Sequence, residues 1–178
     1  MCWDLNDPAG GLQLKPSVFV ALGSNLGDAA HNVLRAFARL HQLSAGPFLQ
    51  SSLWQTTPVE CPPGSPLFVN AAAALTPHPQ ETPESLLAHL LQIEKEFGRQ
   101  SKTFANEPRP LDLDLIAFEN QTRSANELML PHPRAHLRRF VLQPLAELAP
   151  DLILPCQTAS VAELLGLLPP DPSIRRLA

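Results

Sequence analysis

The chain has 178 residues, of which 44% are hydrophobic and 17% charged, so it is long enough for one domain with a substantial core and too apolar for a disordered chain. Its net charge of -4 argues against nucleic acid or an anionic membrane as the main partner. Three scattered cysteines indicate neither a disulfide framework nor a zinc site, and no segment approaches the roughly 18 apolar residues of a membrane helix. We expect a cytoplasmic protein with residues 1–16 as a flexible extension and 17–178 as one domain.

The first half of the chain predicts a strand, a helix and two further strands. A short apolar run rich in β-formers, at 18–22, predicts the first strand. Asp28 can cap a helix that continues to about His41. The inner stripe of this helix is predicted to be Val33, Leu34, Phe37, Ala38 and His41. Residues 48–55 and 67–75 predict two strands joined by a proline-rich loop.

The second half continues with a helix, a strand and a terminal helix. The pair Thr-Pro at 82–83 is typical of a helix N-terminus, and Gly98 of its end. RPLDLDLIAF, at 109–118, predicts a strand, and Ser160 with Glu163 forms a capping box for the last helix. This order predicts an α+β fold with a ferredoxin-like βαββαβ antiparallel sheet, helices on one face, and a C-terminal α/β extension.

Two acidic residues interrupt the leucines of the strand at 109–118. Because successive side chains in a strand alternate between faces, Asp112 and Asp114 point the same way, with Cα atoms about 6 to 7 Å apart. Such a pair can share a metal ion or hold two. Taken alone, the same pair is also typical of the solvent-facing edge of a sheet.

Glu94 stands where the second predicted helix should present an apolar side chain. The stripe around it consists of Leu87, Leu90, Leu91 and Phe97. A buried carboxylate is costly unless it is paired or hydrogen bonded, so this position suggests a functional contact. The alternative is a glutamate at the edge of the stripe whose carboxylate reaches solvent.

Positive charge gathers around the aspartate pair. The cations are Arg99, Lys102, Arg109, Arg134, Arg138 and Arg139. Guanidinium groups bind phosphate in bidentate fashion, and Arg134 and Arg138 would share a face if their segment is helical. His132 lies between two prolines, which would orient its imidazole. Each of these residues could equally be a solvated or structural side chain. GSNLGD, at 23–28, matches neither of the common glycine-rich nucleotide loops.

Several motifs in order resemble one family, the 6-hydroxymethyl-7,8-dihydropterin pyrophosphokinases. They are ALGSNLGD, TTP at 56–58, FVNAA at 68–72, IEKEFGR at 93–99, RPLDLDLI at 109–116, and LPHPR with RRFVLQPL. The resemblance covers roughly residues 17–155. It implies a ferredoxin-like enzyme that uses ATP and two Mg²⁺ ions to pyrophosphorylate the pterin in folate biosynthesis, with AMP as the second product. We expect a monomer or weak dimer that binds these small molecules, with no nucleic-acid or membrane partner.

The resemblance implies a role for many of the residues already described. Catalysis is implied for Arg99, Arg109, Asp112 and Asp114, of which the two aspartates would hold the metal ions. ATP binding is implied for Glu94, Arg99, Lys102, Arg109, Ile116, His132 and Arg138. Pterin binding is implied for Thr57, Pro58, Val59, Phe68, Asn70, Asp112 and Phe140. Gly23 and Asn25 would shape the floor of the pocket.

The chain departs from the family pattern at two positions, and two other functions can be weighed against the resemblance. Ser101 stands where a second arginine is common, and Asn106 where an aromatic residue is common, in a predicted closing loop at 99–108. A non-catalytic module that senses a small ligand could use the same fold. An RNA-binding sheet would need exposed aromatic motifs and a basic surface, and the sequence has neither.

Overall fold

Strands and helices are described for residues 15–59, 61–99 and 107–177 in a computed structural model. The strands are β1 Val18–Ser24, β2 Leu49–Gln50, β3 Trp54–Thr56, β4 Phe68–Leu75, β5 Asp112–Phe118, β6 Arg123–Ala125, β7 Leu128–Leu130 and β8 Arg175–Arg176. The α-helices are α1 Ala29–His41, α2 Pro83–Glu96, α3 Arg139–Leu148 and α4 Val161–Leu167, and a 3₁₀ turn covers Ala135–Leu137. Ser101, Lys102, Asn106 and most of the predicted closing loop lie outside the described residues.

The main sheet is antiparallel, and β1 lies in its interior between β4 and β5. The strand order is β5, β1, β4, β3, β8, and β2 also pairs with β4. The register places Gly23 of β1 opposite both Asn70 of β4 and Asp112 of β5. The predicted α+β class, an antiparallel sheet with packed helices, is confirmed. The register matters for function because it aligns polar residues of three strands at one end of the sheet.

Apolar residues cover both faces of this sheet. On one face, β1, β4 and β5 pack against α1 and α2, and Leu111, Leu113 and Leu115 point into that core. On the other face, α3 packs against small residues of β4 such as Ala72 and Ala74, and α4 packs on α3. The expectation of helices on one face therefore holds for α1 and α2 only, since the C-terminal helices cover the opposite face. Among the described helices, none has the length and hydrophobicity that a bilayer span requires.

The predicted ends of the helices are confirmed, but parts of the predicted stripes are wrong. Asp28 Oδ1 accepts the His31 N–H at 3.0 Å, Thr82 caps α2, and Ser160 with Glu163 forms the predicted capping box of α4. In α1 the buried residues are Val33, Ala36, Phe37 and Leu40. The predicted inner residues Leu34, Ala38 and His41 are exposed, because the core contacts a different face of this helix. In α2, Leu91 is likewise exposed.

Several predicted segments differ in extent from the observed ones. The strand predicted at 48–55 is interrupted at 51–53 and forms the two short strands β2 and β3. Arg134 and Arg138 do not lie on one α-helical face, because a 3₁₀ turn separates them. The hairpin of β6 and β7 and the edge strand β8 were not predicted.

Candidate active site

A cavity opens at the end of the sheet where β1, β4 and β5 align. It encloses about 700 Å³ of empty space, part of it continuous with solvent. The residues that line it are Ala21, Leu22, Gly23, Thr56, Thr57, Val59, Cys61, Phe68, Asn70, Arg109, Asp112, Asp114, Arg138, Phe140 and Val141. One cavity therefore combines two aromatic rings with two carboxylates and two guanidinium groups.

Both aspartates of β5 line the cavity, as the alternation of the strand predicts. Ile116, two residues further along the same face, is buried in the core beneath α3 and α4. Burial raises the pKa of Asp114, and the nearby charge of Asp112 raises it further. His132, Arg138 and Arg109 oppose this rise because they are positive or can become so. The two carboxylates thus repel each other at a site partly shielded from water.

Glu94 connects the end of α2 to the strand that carries the aspartates. Its side chain is 2% exposed, so the alternative of a solvent-reaching glutamate is excluded. Its Oε1 accepts the Leu113 N–H at 2.7 Å and also contacts Nη1 of Arg99. The same Nη1 donates to Asp112 Oδ1 at 2.8 Å. Burial raises the pKa of Glu94 to about 7, against the opposing effects of the Leu113 N–H and Arg99.

Arg109 presents an unsatisfied donor beside the carboxylate of Asp112. Its Nε is 3.4 Å from Asp112 Oδ2, is buried, and makes no hydrogen bond within the residues that the structure describes. Its backbone is held by Asn25, whose Oδ1 accepts the Arg109 N–H at 2.9 Å. The Asn25 N–H in turn donates to the Arg109 carbonyl at 3.1 Å. The backbone of Arg109 is therefore fixed beside the cavity, and its Nε keeps hydrogen-bonding capacity for an anion.

His132 lies behind the charged groups and does not line the cavity. Its backbone N–H donates to the Ile116 carbonyl at 2.9 Å, which attaches this segment to β5, and its ring Nδ1 accepts the backbone N–H of Arg134 at 3.3 Å. Burial lowers its pKa, whereas the carboxylate of Asp114 raises it. The imidazole is therefore oriented by the backbone, as its position between two prolines suggests.

Phe68 and Phe140 bring aromatic rings to the cavity from β4 and from α3. Asn70, buried at 5% exposure, donates from Nδ2 to Thr56 Oγ1 at 2.8 Å. Gly23 lies against them: a Cβ at this position would be 3.4 Å from Asn70 Oδ1 and 3.8 Å from the Phe68 ring. A larger residue at position 23 would therefore crowd the groups that a flat ligand would meet.

The structure assembles most, but not all, of the predicted site residues around the cavity. Those that line it are Thr57, Val59, Phe68, Asn70, Arg109, Asp112, Asp114, Arg138 and Phe140. Those that do not are Pro58, Glu94, Arg99, Ile116 and His132, and Lys102 lies outside the described residues. Sequence reasoning missed Ala21, Leu22, Thr56, Cys61 and Val141. Each of these five lies within two residues of a predicted site residue or in the proline-rich loop, which was the only available signal.

The donor set of the cavity fits magnesium held jointly with a phosphorylated ligand. Among the described residues, no group of three or more His, Cys, Asp or Glu side chains is arranged to hold a metal ion by itself. Mg²⁺ is usually bound by one or two carboxylates, with water and substrate phosphates completing its octahedron. Asp112 and Asp114 supply two carboxylates, and the unsatisfied Nε of Arg109 provides a donor for a phosphate oxygen.

Comparison with known families identifies the chain. The family model of 7,8-dihydro-6-hydroxymethylpterin-pyrophosphokinase (HPPK) matches residues 19–150, which is well over half of the chain. The chain belongs to the HPPK family. The family resemblance found in the sequence motifs is confirmed.

Curated relatives agree with this assignment over most of the chain. The 2-amino-4-hydroxy-6-hydroxymethyldihydropteridine pyrophosphokinase of Pseudomonas aeruginosa is 41% identical over 141 residues, which is 78% of this chain and 83% of that protein. The protein of the same name from Methylorubrum extorquens is 36% identical over 152 residues, covering 85% of this chain and 93% of that protein.

Other relatives are much longer proteins. The folic acid synthesis protein FOL1 of Dictyostelium discoideum is 36% identical over 140 residues, which is 78% of this chain but 20% of that protein. The chain thus spans about a fifth of the length of such relatives. Among solved structures, an HPPK-DHPS in complex with substrates has a TM-score of 0.64 at 11% identity, covering 85% of this chain and 43% of that chain. This likeness supports the fold.

Proposed function

We propose that the chain transfers the pyrophosphoryl group of ATP to the hydroxymethyl group of 6-hydroxymethyl-7,8-dihydropterin in folate biosynthesis, with Mg²⁺ required. One observation carries this proposal. The two carboxylates and the arginines lie in the same cavity as Phe68, Phe140 and the buried Asn70, so a flat heterocycle and a polyphosphate can meet there. Family membership supports the substrate class.

The aromatic residues bind the pterin in this proposal. Phe68 and Phe140 stack on the two faces of the ring, since aromatic side chains contribute a large contact area at a defined geometry. Asn70 and the segment Thr57–Val59 hydrogen bond to the polar edge of the heterocycle. Gly23 leaves the space that the ring occupies. The hydroxymethyl group then extends toward the aspartates of β5.

The charged residues bind ATP and the metal. Asp112 and Asp114 are the residues that would hold two Mg²⁺ ions, and these ions would supply charge neutralisation and alignment of the hydroxyl. Arg109 donates its unsatisfied Nε–H to a phosphate oxygen, and Arg138 lies on the same cavity. Arg99 and Glu94 act behind Asp112, whose Oδ1 accepts from Arg99. Lys102, Ile116 and His132 complete the proposed nucleotide site.

The proposed reaction is a displacement at the β-phosphorus. The pterin hydroxyl oxygen forms a bond to that phosphorus, the bond from the phosphorus to the oxygen bridging the α- and β-phosphates breaks, and AMP departs. The hydroxyl proton is released. Positioning and charge neutralisation provide most of the acceleration in such transfers, so a covalent nucleophile is not needed.

We also infer the finer features of the fold and setting. The strand order β5, β1, β4, β3, with α1 and α2 as the helical connections between strands, supports a ferredoxin-like core. Free thiols at Cys61 and Cys156 suit a reducing compartment such as the cytoplasm. The net charge of -4 supports small-molecule partners rather than nucleic acid or membrane. We further propose that the chain acts as a monomer or weak dimer.

The test is AMP release from ATP and Mg²⁺, with and without 6-hydroxymethyl-7,8-dihydropterin. Wild-type protein should release AMP only when the pterin is present. The variant Asp112→Ala/Asp114→Ala should lose at least about 10³-fold in rate. The matched control Asp151→Ala removes an exposed carboxylate outside the cavity and should leave the rate unchanged. A folded wild-type chain that binds ATP but releases no AMP would instead indicate a ligand-sensing module.

A further inference from the structure

The C-terminal segment, at 171–177, returns to the rim of the cavity. Its strand β8 pairs antiparallel with β3 at the edge of the main sheet. Arg175 Nε donates to Gln55 Oε1 at 2.8 Å, which holds the two strands together through their side chains as well. The chain leaves β3 directly into Thr57, which lines the cavity. Residues more than a hundred positions away in sequence therefore bear on the binding site.

A short series of hydrogen bonds connects Asp171 of this segment to Thr57. Asp171 Oδ1 accepts both the Ser173 N–H at 2.9 Å and the Ser173 hydroxyl at 2.7 Å. The Ser173 Oγ lies 3.0 Å from Thr57 Oγ1. Asp171 therefore holds Ser173 through two hydrogen bonds, one from the Ser173 backbone N–H and one from the Ser173 hydroxyl.

The direction of these bonds follows from the number of protons available. An ionised carboxylate can only accept, and a serine hydroxyl has one proton to donate. Because Ser173 gives that proton to Asp171, its oxygen must accept from Thr57. Thr57 then has no hydroxyl proton left, and its remaining lone pairs can only accept a hydrogen bond from a ligand.

We propose that Thr57 is a specificity-determining residue that accepts a hydrogen bond from a ligand N–H, and that Asp171 and Ser173 are positioning residues that set this polarity. The inference rests on the proposed function, since a dihydropterin carries N–H donors on its exocyclic amino group and its ring. Without Ser173, the Thr57 hydroxyl would rotate freely and present its proton as readily as its lone pairs. The Thr57 hydroxyl oxygen would then face a ligand N–H as an acceptor for only part of the time.

The test is a double-mutant cycle on pterin affinity. Calorimetry measures the Kd of 6-hydroxymethyl-7,8-dihydropterin in the presence of Mg²⁺ and a non-hydrolysable ATP analogue. Thr57→Val should weaken binding about fivefold and Ser173→Ala about threefold, as expected for one hydrogen bond. The double variant should be no weaker than Thr57→Val, because Ser173 acts only through Thr57. The conservative variant Thr57→Ser should restore near wild-type affinity.

Two controls distinguish a change in the hydrogen-bond polarity of Thr57 from a general disruption of the C-terminal segment. Ser52→Ala removes another hydroxyl that contacts the same segment, where Ser52 Oγ accepts from Arg176 Nε at 2.8 Å outside the cavity. It should leave the pterin Kd unchanged, and the Kd of the ATP analogue should be constant in all variants. Multiplying effects of the two single changes, or no effect of either, would overturn the inference. A wild-type chain that binds no pterin at all would instead refute the proposed function.

Discussion

The cavity has a charged part and an aromatic part, which differ in how far the protein satisfies their polar groups. The charged part consists of Arg109, Asp112, Asp114 and Arg138, and the aromatic part of Phe68, Asn70 and Phe140. In the aromatic part, the Asn70 amide is already bonded to Thr56. In the charged part, the Nε of Arg109 makes no hydrogen bond among the described residues, and burial beside Asp112 raises the pKa of Asp114.

This difference predicts which residues contribute mainly to ligand binding and which contribute mainly to the stability of the fold. In the aromatic part, the buried Asn70 amide is already held by Thr56 in the free protein, so binding there depends on contact area and on hydrogen bonds to a pre-positioned polar edge. The charged part holds opposing and unsatisfied groups that a cation and an anion would satisfy, so changes there should affect activity more than folding. Glu94 and Arg99 lie behind the cavity and satisfy each other, so changes there should affect folding first.

The largest expected effect is on the charged part, at Arg109. Arg109→Ala should lower kcat for AMP release by about 10² to 10³-fold, because a fixed donor to the transferring phosphates is lost. The free energy of unfolding should fall by only about 1 kcal/mol, since Nε has no hydrogen bond to lose and Asp112 keeps its contact with Arg99 when its 3.4 Å ion pair with Arg109 is removed. Steady-state kinetics and urea unfolding on the same samples measure both quantities.

Two companion variants sharpen this prediction. Arg109→Lys keeps the charge but loses the planar fork, so its kcat should fall between those of the wild type and the alanine variant. Arg39→Ala removes an exposed guanidinium that pairs with Glu96 at 2.9 Å, and it should leave both activity and stability nearly unchanged. If Arg109→Ala destabilises the fold as strongly as it slows the reaction, the proposed separation of binding from stability is wrong.

The next effect concerns the buried Glu94 and depends on pH. Its pKa of about 7 in the folded state lies above the ordinary 4.5, so the folded state binds this proton more tightly than the unfolded state. The resulting stability is fully present below pH 4.5 and is lost as the pH rises through 7. Glu94→Gln stays neutral throughout, so its stability relative to wild type should rise by up to about 3 kcal/mol over that range.

Urea unfolding at several pH values in the presence of a chelator measures this difference. Glu163→Gln provides a control, because the Ser160 N–H holds the pKa of Glu163 below its usual range. The difference between that variant and wild type should therefore be flat between about pH 5 and 7. A flat difference for Glu94→Gln as well would mean that Arg99 keeps Glu94 ionised at every pH, with its burial fully compensated.

The sequence predicted the strand of the aspartates because that strand meets two different environments. Leucine and aspartate alternate from Leu111 to Leu115, one set facing a core and the other a cavity, and the period of two is unambiguous. Helix α1 gives the opposite lesson. Apolar residues occur on more than one of its faces, so both Leu34 and Leu40 are compatible with a buried helical stripe. Packing against the sheet buries Leu40 and leaves Leu34 exposed.

The remaining parts of the site depend on contacts between distant segments. Nothing near Thr57 in sequence signals Ser173, which reaches it only because β8 pairs with β3. Thr56 and Cys61 enter the cavity through the path of a proline-rich loop, which no periodic pattern describes. Motifs identified the chemistry of the site, whereas long-range pairing determines which neighbours support it.

The smallest expected effect tests the aromatic part, at Phe140. Its ring lines the cavity and lies 5.5 Å from the Arg138 guanidinium carbon. Phe140→Leu should weaken pterin binding by about three- to tenfold, as expected for one lost aromatic contact, and should leave the Kd of an ATP analogue nearly constant. Phe48→Leu is the matched control, because Phe48 packs edge-on against Phe37 away from the cavity and should not affect the pterin Kd. Equal losses of pterin and nucleotide affinity in Phe140→Leu would show that the two parts of the cavity do not act separately.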